Sequence, residues 1–93
     1  IVVLNNNFLG MVRQWQQLFF DKRYASTELT NPDFAAWARS FGAEGITIQT
    51  EADVSVAIDK AFSIRVKPVV VHCHTSAVQM SAWRKYERSE TLA

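Results

Sequence analysis

The chain is poor in several things, and each shortage narrows what it is. It has one cysteine, Cys73, in 93 residues. A single thiol closes no internal disulfide, which excludes a disulfide-stapled small fold and suits a reducing compartment. No apolar run approaches the roughly 20 residues of a membrane-spanning helix, and no signal-peptide pattern opens the chain. The formal net charge is only +1, so nothing argues for a nucleic-acid or membrane surface. Internal repeats and low-complexity segments are absent. What is present is 48% hydrophobic and 20% charged residues, the composition of an ordinary globular chain. The length allows at most one small domain.

Hydrophobic periodicity divides the chain into six elements and a tail. Ile1-Val2-Val3-Leu4 is a short apolar run, read as a parallel strand buried on both faces and ending near residue 5. A loop from Asn6 to Leu9 leads into a helix over about 10–20. Met11, Val12, Trp15, Leu18 and Phe19 share its apolar face, with Arg13, Gln14, Gln16 and Gln17 opposite. Residues 21–30 form a polar connection, long for a compact domain and of the kind that is often functional. Asn31-Pro32 predicts a second helix, Asn31 as N-cap and Pro32 at its first position. Phe34, Trp37, Ala38 and Phe41 are its expected buried stripe, and Gly42 its left-handed end. A second strand follows over 45–49. Thr50-Glu51-Ala52-Asp53 resembles a capping box with Asp in place of Glu. It opens a third helix that runs to about Ser63 and buries Val54, Ala57, Ile58, Ala61 and Phe62. A third strand spans about 68–73, and the tail predicts a helix around 78–86.

The order β-α-α-β-α-β favours parallel strands joined by helical crossovers. The expected fold class is α/β, a three-layer parallel sheet with flanking helices, as in the last third of a doubly wound sheet. Residues 1–75 are the expected domain and 76–93 a divergent tail. Ile1 stands inside an apparent strand with no Met or turn before it, so the expectation is a fragment of a longer protein with an incomplete core.

Chemistry concentrates in residues 5–15, Asn-Asn-Asn-Phe-Leu-Gly-Met-Val-Arg-Gln-Trp. Ligands in open α/β sheets bind outside the carboxyl ends of strands, where Asn6 falls. A helix starting at Gly10 aims unpaired N–H groups at the same place. A carboxamide oxygen from Asn6 and the main-chain carbonyl of Phe8 suit magnesium, which takes oxygen ligands in near-octahedral geometry and shares them with phosphates. Elsewhere the pattern is weaker. His72 and His74 fall on one strand face but lack a third ligand, and Cys73 faces the other way as a small core residue. Glu28, Asp33, Glu51, Asp53 and Asp59 show no pairing for acid–base work. Asp33 and Glu51 sit in first turns favoured by the helix dipole. Lys22, Arg23 and Tyr24 are read as solvated surface or a subunit contact.

The same stretch resembles the second half of the thiamin-diphosphate motif, which ends in an Asn pair. Its continuation through Gly10-Met11-Val12-Arg13-Gln14-Trp15-Gln16-Gln17-Leu18-Phe19-Phe20, Lys22-Arg23-Tyr24 and Asn31-Pro32-Asp33-Phe34 resembles the large catalytic subunit of acetolactate synthase. The resemblance is pattern only over 42–71 and fades from His72 onward, where either a divergent terminus or a shifted reading frame is expected. It implies that the metal is held by an upstream Asp with no counterpart here, by Asn6, and by the Phe8 carbonyl. It also implies that Leu9, Gly10, Met11 and Val12 line thiamin diphosphate, and that Met11 and Trp15 face a substrate channel where Trp15 helps select the second 2-oxo acid.

The implied activity is decarboxylation of pyruvate and transfer of the two-carbon unit to a second 2-oxo acid, in branched-chain amino acid biosynthesis. Implied cofactors are thiamin diphosphate and Mg2+, with FAD bound in the full-length family mainly outside this segment. The activating Glu comes from a partner subunit's N-terminal domain, so the isolated chain is expected to be inactive. Implied partners are a second copy of the full-length chain, as dimer or tetramer, and a small regulatory subunit. The implied location is the cytoplasm of a bacterium or a plastid. Two rivals remain open: another thiamin-diphosphate enzyme, such as glyoxylate carboligase or a 2-oxo acid decarboxylase, and a noncatalytic α/β binding module. A dinucleotide-binding module fits less well, because no Gly-x-Gly-x-x-Gly follows the first strand.

Overall fold

The computed structural model describes residues 1–76. The elements are β1 (Val2–Asn5), α1 (Gly10–Phe19), α2 (Phe34–Ser40), β2 (Glu44–Ile48), α3 (Ala52–Ser63) and β3 (Val69–His74). All six expected elements are present, with ends within a few residues of those read from periodicity. The expected tail helix lies outside the described residues. The chain forms two compact units, one built from 1–5 with 30–75 and one that includes 6–29.

In the first unit the strands are parallel in the order β1-β3-β2. Val2 pairs with Val71 and Asn5 with His74, while Ile46 pairs with Val71 and Ile48 with Cys73. Alternation along a strand then sorts the side chains onto two faces. On one face Ile46, Ile48 and Val71 pack with Ala57 of α3, flanked by Ala61, Val69 and Cys73. On the other face Gly45 lies against Ala35 of α2, and His72 meets Phe34. The sheet is thus the middle of three layers.

Gly45 permits the closest approach. A Cβ there would sit 2.1 Å from the Ala35 carbonyl oxygen, so β2 and α2 touch backbone to side-chain-free backbone. Gly42, at φ +83°, ends α2 in the left-handed conformation, as expected of a helix-terminating glycine. The start of α2 differs from expectation. Asp33, not Asn31, is the N-cap, and its carboxylate accepts from Ala36 N–H at 3.1 Å. That bond is the main reason the Asp33 carboxyl sits below its usual range. The helix begins at Phe34 because Asn31 is used elsewhere, bonded to Asn5.

At α3 the expected reciprocal box is half made. Asp53 accepts from the N–H groups of Gln49 and Thr50, each at 3.1 Å, and these bonds lower its pKa. Several residues expected inside are outside. Val54, Phe62, Trp37 and Phe41 are exposed, and the buried residues of α2 and α3 are the small ones, Ala35, Ala38 and Ala57. Trp37 and Phe41 meet edge to face. Nor is β1 covered on both faces. Val2 is 55% and Leu4 71% exposed, because α3 packs over β2 and β3 and leaves the same face of β1 open.

In the second unit the segment after α1 folds back on its start. Leu9 N–H donates to Thr27 O at 2.8 Å and Leu29 N–H to Asn7 O at 2.7 Å, bracketing an antiparallel bridge between Phe8 and Glu28. The Gln16 carboxamide donates to Ala25 O and accepts from Ala25 N–H. Arg13 lies over the rings of Phe8 and Tyr24, 4.8 and 4.5 Å from their centroids. Asp21, Lys22 and Ser26 take positive φ, which gives the long connection its tight course. The apolar stripe of α1 is exposed: Met11, Val12, Trp15, Leu18 and Phe19 all face out, and the buried residue is Gln14. No helix among the described residues is long and apolar enough to cross a membrane.

Candidate functional site: the turn after the first strand

The apolar run that makes β1 stops at Asn5, and three consecutive asparagines change the backbone. Asn7 adopts φ +62°, a conformation that Asn tolerates better than other side chains with a Cβ. That reversal brings Phe8 N–H to within 3.0 Å of Asn6 Oδ1, an Asx turn. The bonds around the Phe8–Glu28 bridge run from its neighbours, so Phe8's own N–H and C=O turn away from residue 28. The N–H goes to Asn6 Oδ1.

This bears on metal fit. A carboxamide oxygen accepts twice, and Phe8 N–H uses one lone pair of Asn6 Oδ1. Two uncharged hard oxygens suit Mg2+, although they fill only part of its shell. Next to them α1 starts at Gly10 with Leu9 as N-cap and no side-chain cap bond. The first-turn N–H groups of Gly10, Met11 and Val12 thus lack the capping partner that Ser or Asp would give, which fits an anionic group. Met11 and Trp15 stand one turn apart on the exposed apolar face, 69% and 58% accessible.

Residues that sequence reasoning did not join meet at the carboxyl end of β1. His72 is 3% exposed and Asn5 6%. His72 Nδ1 accepts from Phe34 N–H at 3.2 Å, and His72 Nε2 lies 2.9 Å from the Asn5 carboxamide. That carboxamide lies 2.8 Å from Asn31's. Asn5 O accepts from Thr75 N–H at 2.9 Å. Because Nδ1 accepts, the proton of a neutral imidazole sits on Nε2 and needs an acceptor. The carbonyl end of Asn5 must therefore face His72, and its amino end the oxygen of Asn31. The structure draws both carboxamides the other way round, with Asn31 Nδ2 donating to Asn5 Oδ1 and Asn5 Nδ2 facing His72 Nε2; the outline is the same either way, and the proton on Nε2 selects the exchanged pair.

Burial is the main cause that lowers the His72 pKa; His74 adds to it, and Asp33 opposes it. The His74 ring stacks obliquely at 4.3 Å. With both nitrogens engaged, His72 has none for a metal. Among the described residues no three of His, Cys, Asp and Glu gather as a metal cage. Cys73 is a free, half-buried thiol against the α3-side core.

A parallel three-layer α/β sheet, with an oxygen-bearing turn and an uncapped helix start following a strand's carboxyl end, defines a ligand-binding α/β domain. Residues 1–73 match the family model described as thiamine pyrophosphate enzyme, C-terminal TPP binding domain, and the chain belongs to that family. Among its relatives, the acetolactate synthase large subunit of Haemophilus influenzae is 46% identical over 72 residues, 76% of this chain and 13% of the relative. The acetolactate synthase isozyme 2 large subunit of Escherichia coli is 55% identical over 60 residues, 63% of this chain and 11% of the relative. The acetolactate synthase large subunit of Cyanidium caldarium is 40% identical over 75 residues, 78% and 13%. The chain thus spans roughly an eighth of the length of these relatives.

Proposed function

We propose that this chain is part of the catalytic subunit of an acetolactate synthase and forms one wall of its cofactor site. In this reading Asn6 Oδ1 and the Phe8 carbonyl bind Mg2+, and the metal tethers the diphosphate of thiamin diphosphate. The N–H groups at the start of α1 face the same anion, and Leu9, Gly10, Met11 and Val12 line the cofactor. Met11 and Trp15 border the approach of the 2-oxo acids. When bound, thiamin diphosphate supplies the carbanion-stabilising chemistry that pyruvate decarboxylation needs; the chain's own part is to bind, orient and exclude water. FAD, a second full-length copy and a small regulatory subunit are partners of the complete enzyme in this reading, which serves branched-chain amino acid synthesis.

The observation that carries the proposal is the Asx turn. It ties the Asn6 carboxamide oxygen to the backbone of Phe8, in a segment matching a thiamine pyrophosphate-binding domain. The test is a hybrid in which residues 1–73 replace the matching segment of the E. coli isozyme 2 large subunit. The hybrid is expected to form acetolactate from pyruvate in the presence of Mg2+ and thiamin diphosphate. Asn6→Ala is expected to raise the Mg2+ needed for half-saturation by about 100-fold or more, at or beyond the upper end seen for residues that only support a metal ligand. A folded hybrid that binds no thiamin diphosphate, or an Asn6→Ala variant with unchanged Mg2+ dependence, would refute the reading.

A further inference from the structure

The last residue of β1 is held by more polar contacts than a strand end requires. Asn5 lies in the sheet opposite His74. Its carbonyl accepts from Thr75 N–H, and its carboxamide is bonded by His72 and Asn31. An apolar trio would fill this buried space without the desolvation cost of two carboxamides and an imidazole. What only the polar trio provides is direction: each group has one allowed orientation, fixed by the proton on His72 Nε2. Asn5 is also peptide-bonded to Asn6, the side chain that the proposed function assigns to Mg2+.

We propose that His72 is a positioning residue for the metal-binding turn: its Nε2–H fixes the Asn5 carboxamide and, through it, the peptide from which Asn6 extends. This rests on the proposed function, since it takes Asn6 as a metal ligand. His72 touches neither metal nor cofactor in this role. Its other nitrogen serves a different purpose, receiving Phe34 N–H at the start of α2. The two duties separate by substitution. Gln places an N–H donor near the Nε2 position and loses the Nδ1 acceptor. Asn places an acceptor near the Nδ1 position and loses the link to Asn5.

The experiment uses the full-length hybrid and reads Mg2+ affinity by calorimetric titration at fixed thiamin diphosphate, alongside the thermal midpoint. His72→Asn is expected to weaken Mg2+ binding about 10-fold or more, the usual cost of losing a group that orients a metal ligand. His72→Gln is expected to stay within about 3-fold of the parent despite its own loss of stability. Asn31→Ala, at a half-buried position outside the helices and strands, is expected to weaken binding in the same direction and guards against misfolding of the histidine variants. Equal weakening by His72→Gln and His72→Asn, or unchanged affinity in both His72→Asn and Asn31→Ala, would overturn the proposal while leaving Asn6 as a ligand intact. Unchanged affinity in Asn6→Ala would instead remove the functional reading on which it rests.

Discussion

Replacing Gly45 by alanine tests the contact that sets the depth of the fold. The new Cβ would stand 2.1 Å from Ala35 O, 2.6 Å from Ala35 C and 2.8 Å from Ala35 Cα. Comfortable separation needs roughly 3.5 Å, so α2 would have to retreat by more than ~1 Å. All three atoms are backbone, so no rotamer change relieves the clash. Retreat would loosen Ala35 and Ala38, the buried residues of α2, and draw Phe34 N–H from His72. Overpacking of this kind costs about 1–3 kcal/mol, and a backbone clash belongs near the upper end. For a chain of this size that corresponds to a fall in the thermal midpoint on the order of 10–20 °C. Gly42→Ala is the control. It meets no atom within 4 Å but keeps φ +83°, so its cost is the left-handed strain alone, about 1–2 kcal/mol. Urea unfolding of both variants beside the parent chain measures the difference. A Gly45→Ala midpoint equal to or above that of Gly42→Ala would refute the close packing of α2 on β2.

Two further outcomes follow from the same geometry. His72 has a folded pKa below its ordinary 6.5 because burial disfavours the cation. The unfolded chain therefore takes up a proton first as pH drops. Stability from this group is complete above about pH 6.5 and is lost as pH falls through the lowered folded value. Urea midpoints of the parent should fall over that window, and His72→Gln should lack this component. A parent midpoint that rises on acidification would contradict it. In the full-length hybrid, Trp15→Leu is expected to shift the partition between pyruvate and 2-oxobutanoate as second substrate by several-fold, on the order of the 1–3 kcal/mol available to a reshaped apolar pocket. Product ratios in mixed-substrate assays check this, and an unchanged ratio would take Trp15 off the channel.

Some of this was legible in the residues and some was not. Element order and the start of α1 at Gly10 followed from periodicity and turn chemistry, which are local. The apolar stripe from Met11 to Phe19 was legible as a stripe, but spacing alone did not say whether it is buried or exposed. A helical pattern says that a face is apolar, not that a neighbouring element covers it. The same holds for β1, whose Val2 and Leu4 face outward on the side where α3 does not reach. Asn31-Pro32 is a good helix-start signal, yet Asp33 caps the helix because Asn31 is drawn to Asn5. The His72–Asn5–Asn31 contacts were invisible to spacing. They join residues 67 and 26 positions apart, the first pair through the β1–β3 register, and no local pattern encodes either contact.

In the proposed function Asn6 Oδ1 and the Phe8 carbonyl oxygen bind one divalent cation. The most direct measurement is a crystal structure of the hybrid grown with Mg2+ and thiamin diphosphate. Both oxygens should lie about 2.0–2.1 Å from the ion, as magnesium requires. An ion bound by the diphosphate with either oxygen beyond hydrogen-bonding reach would contradict the account.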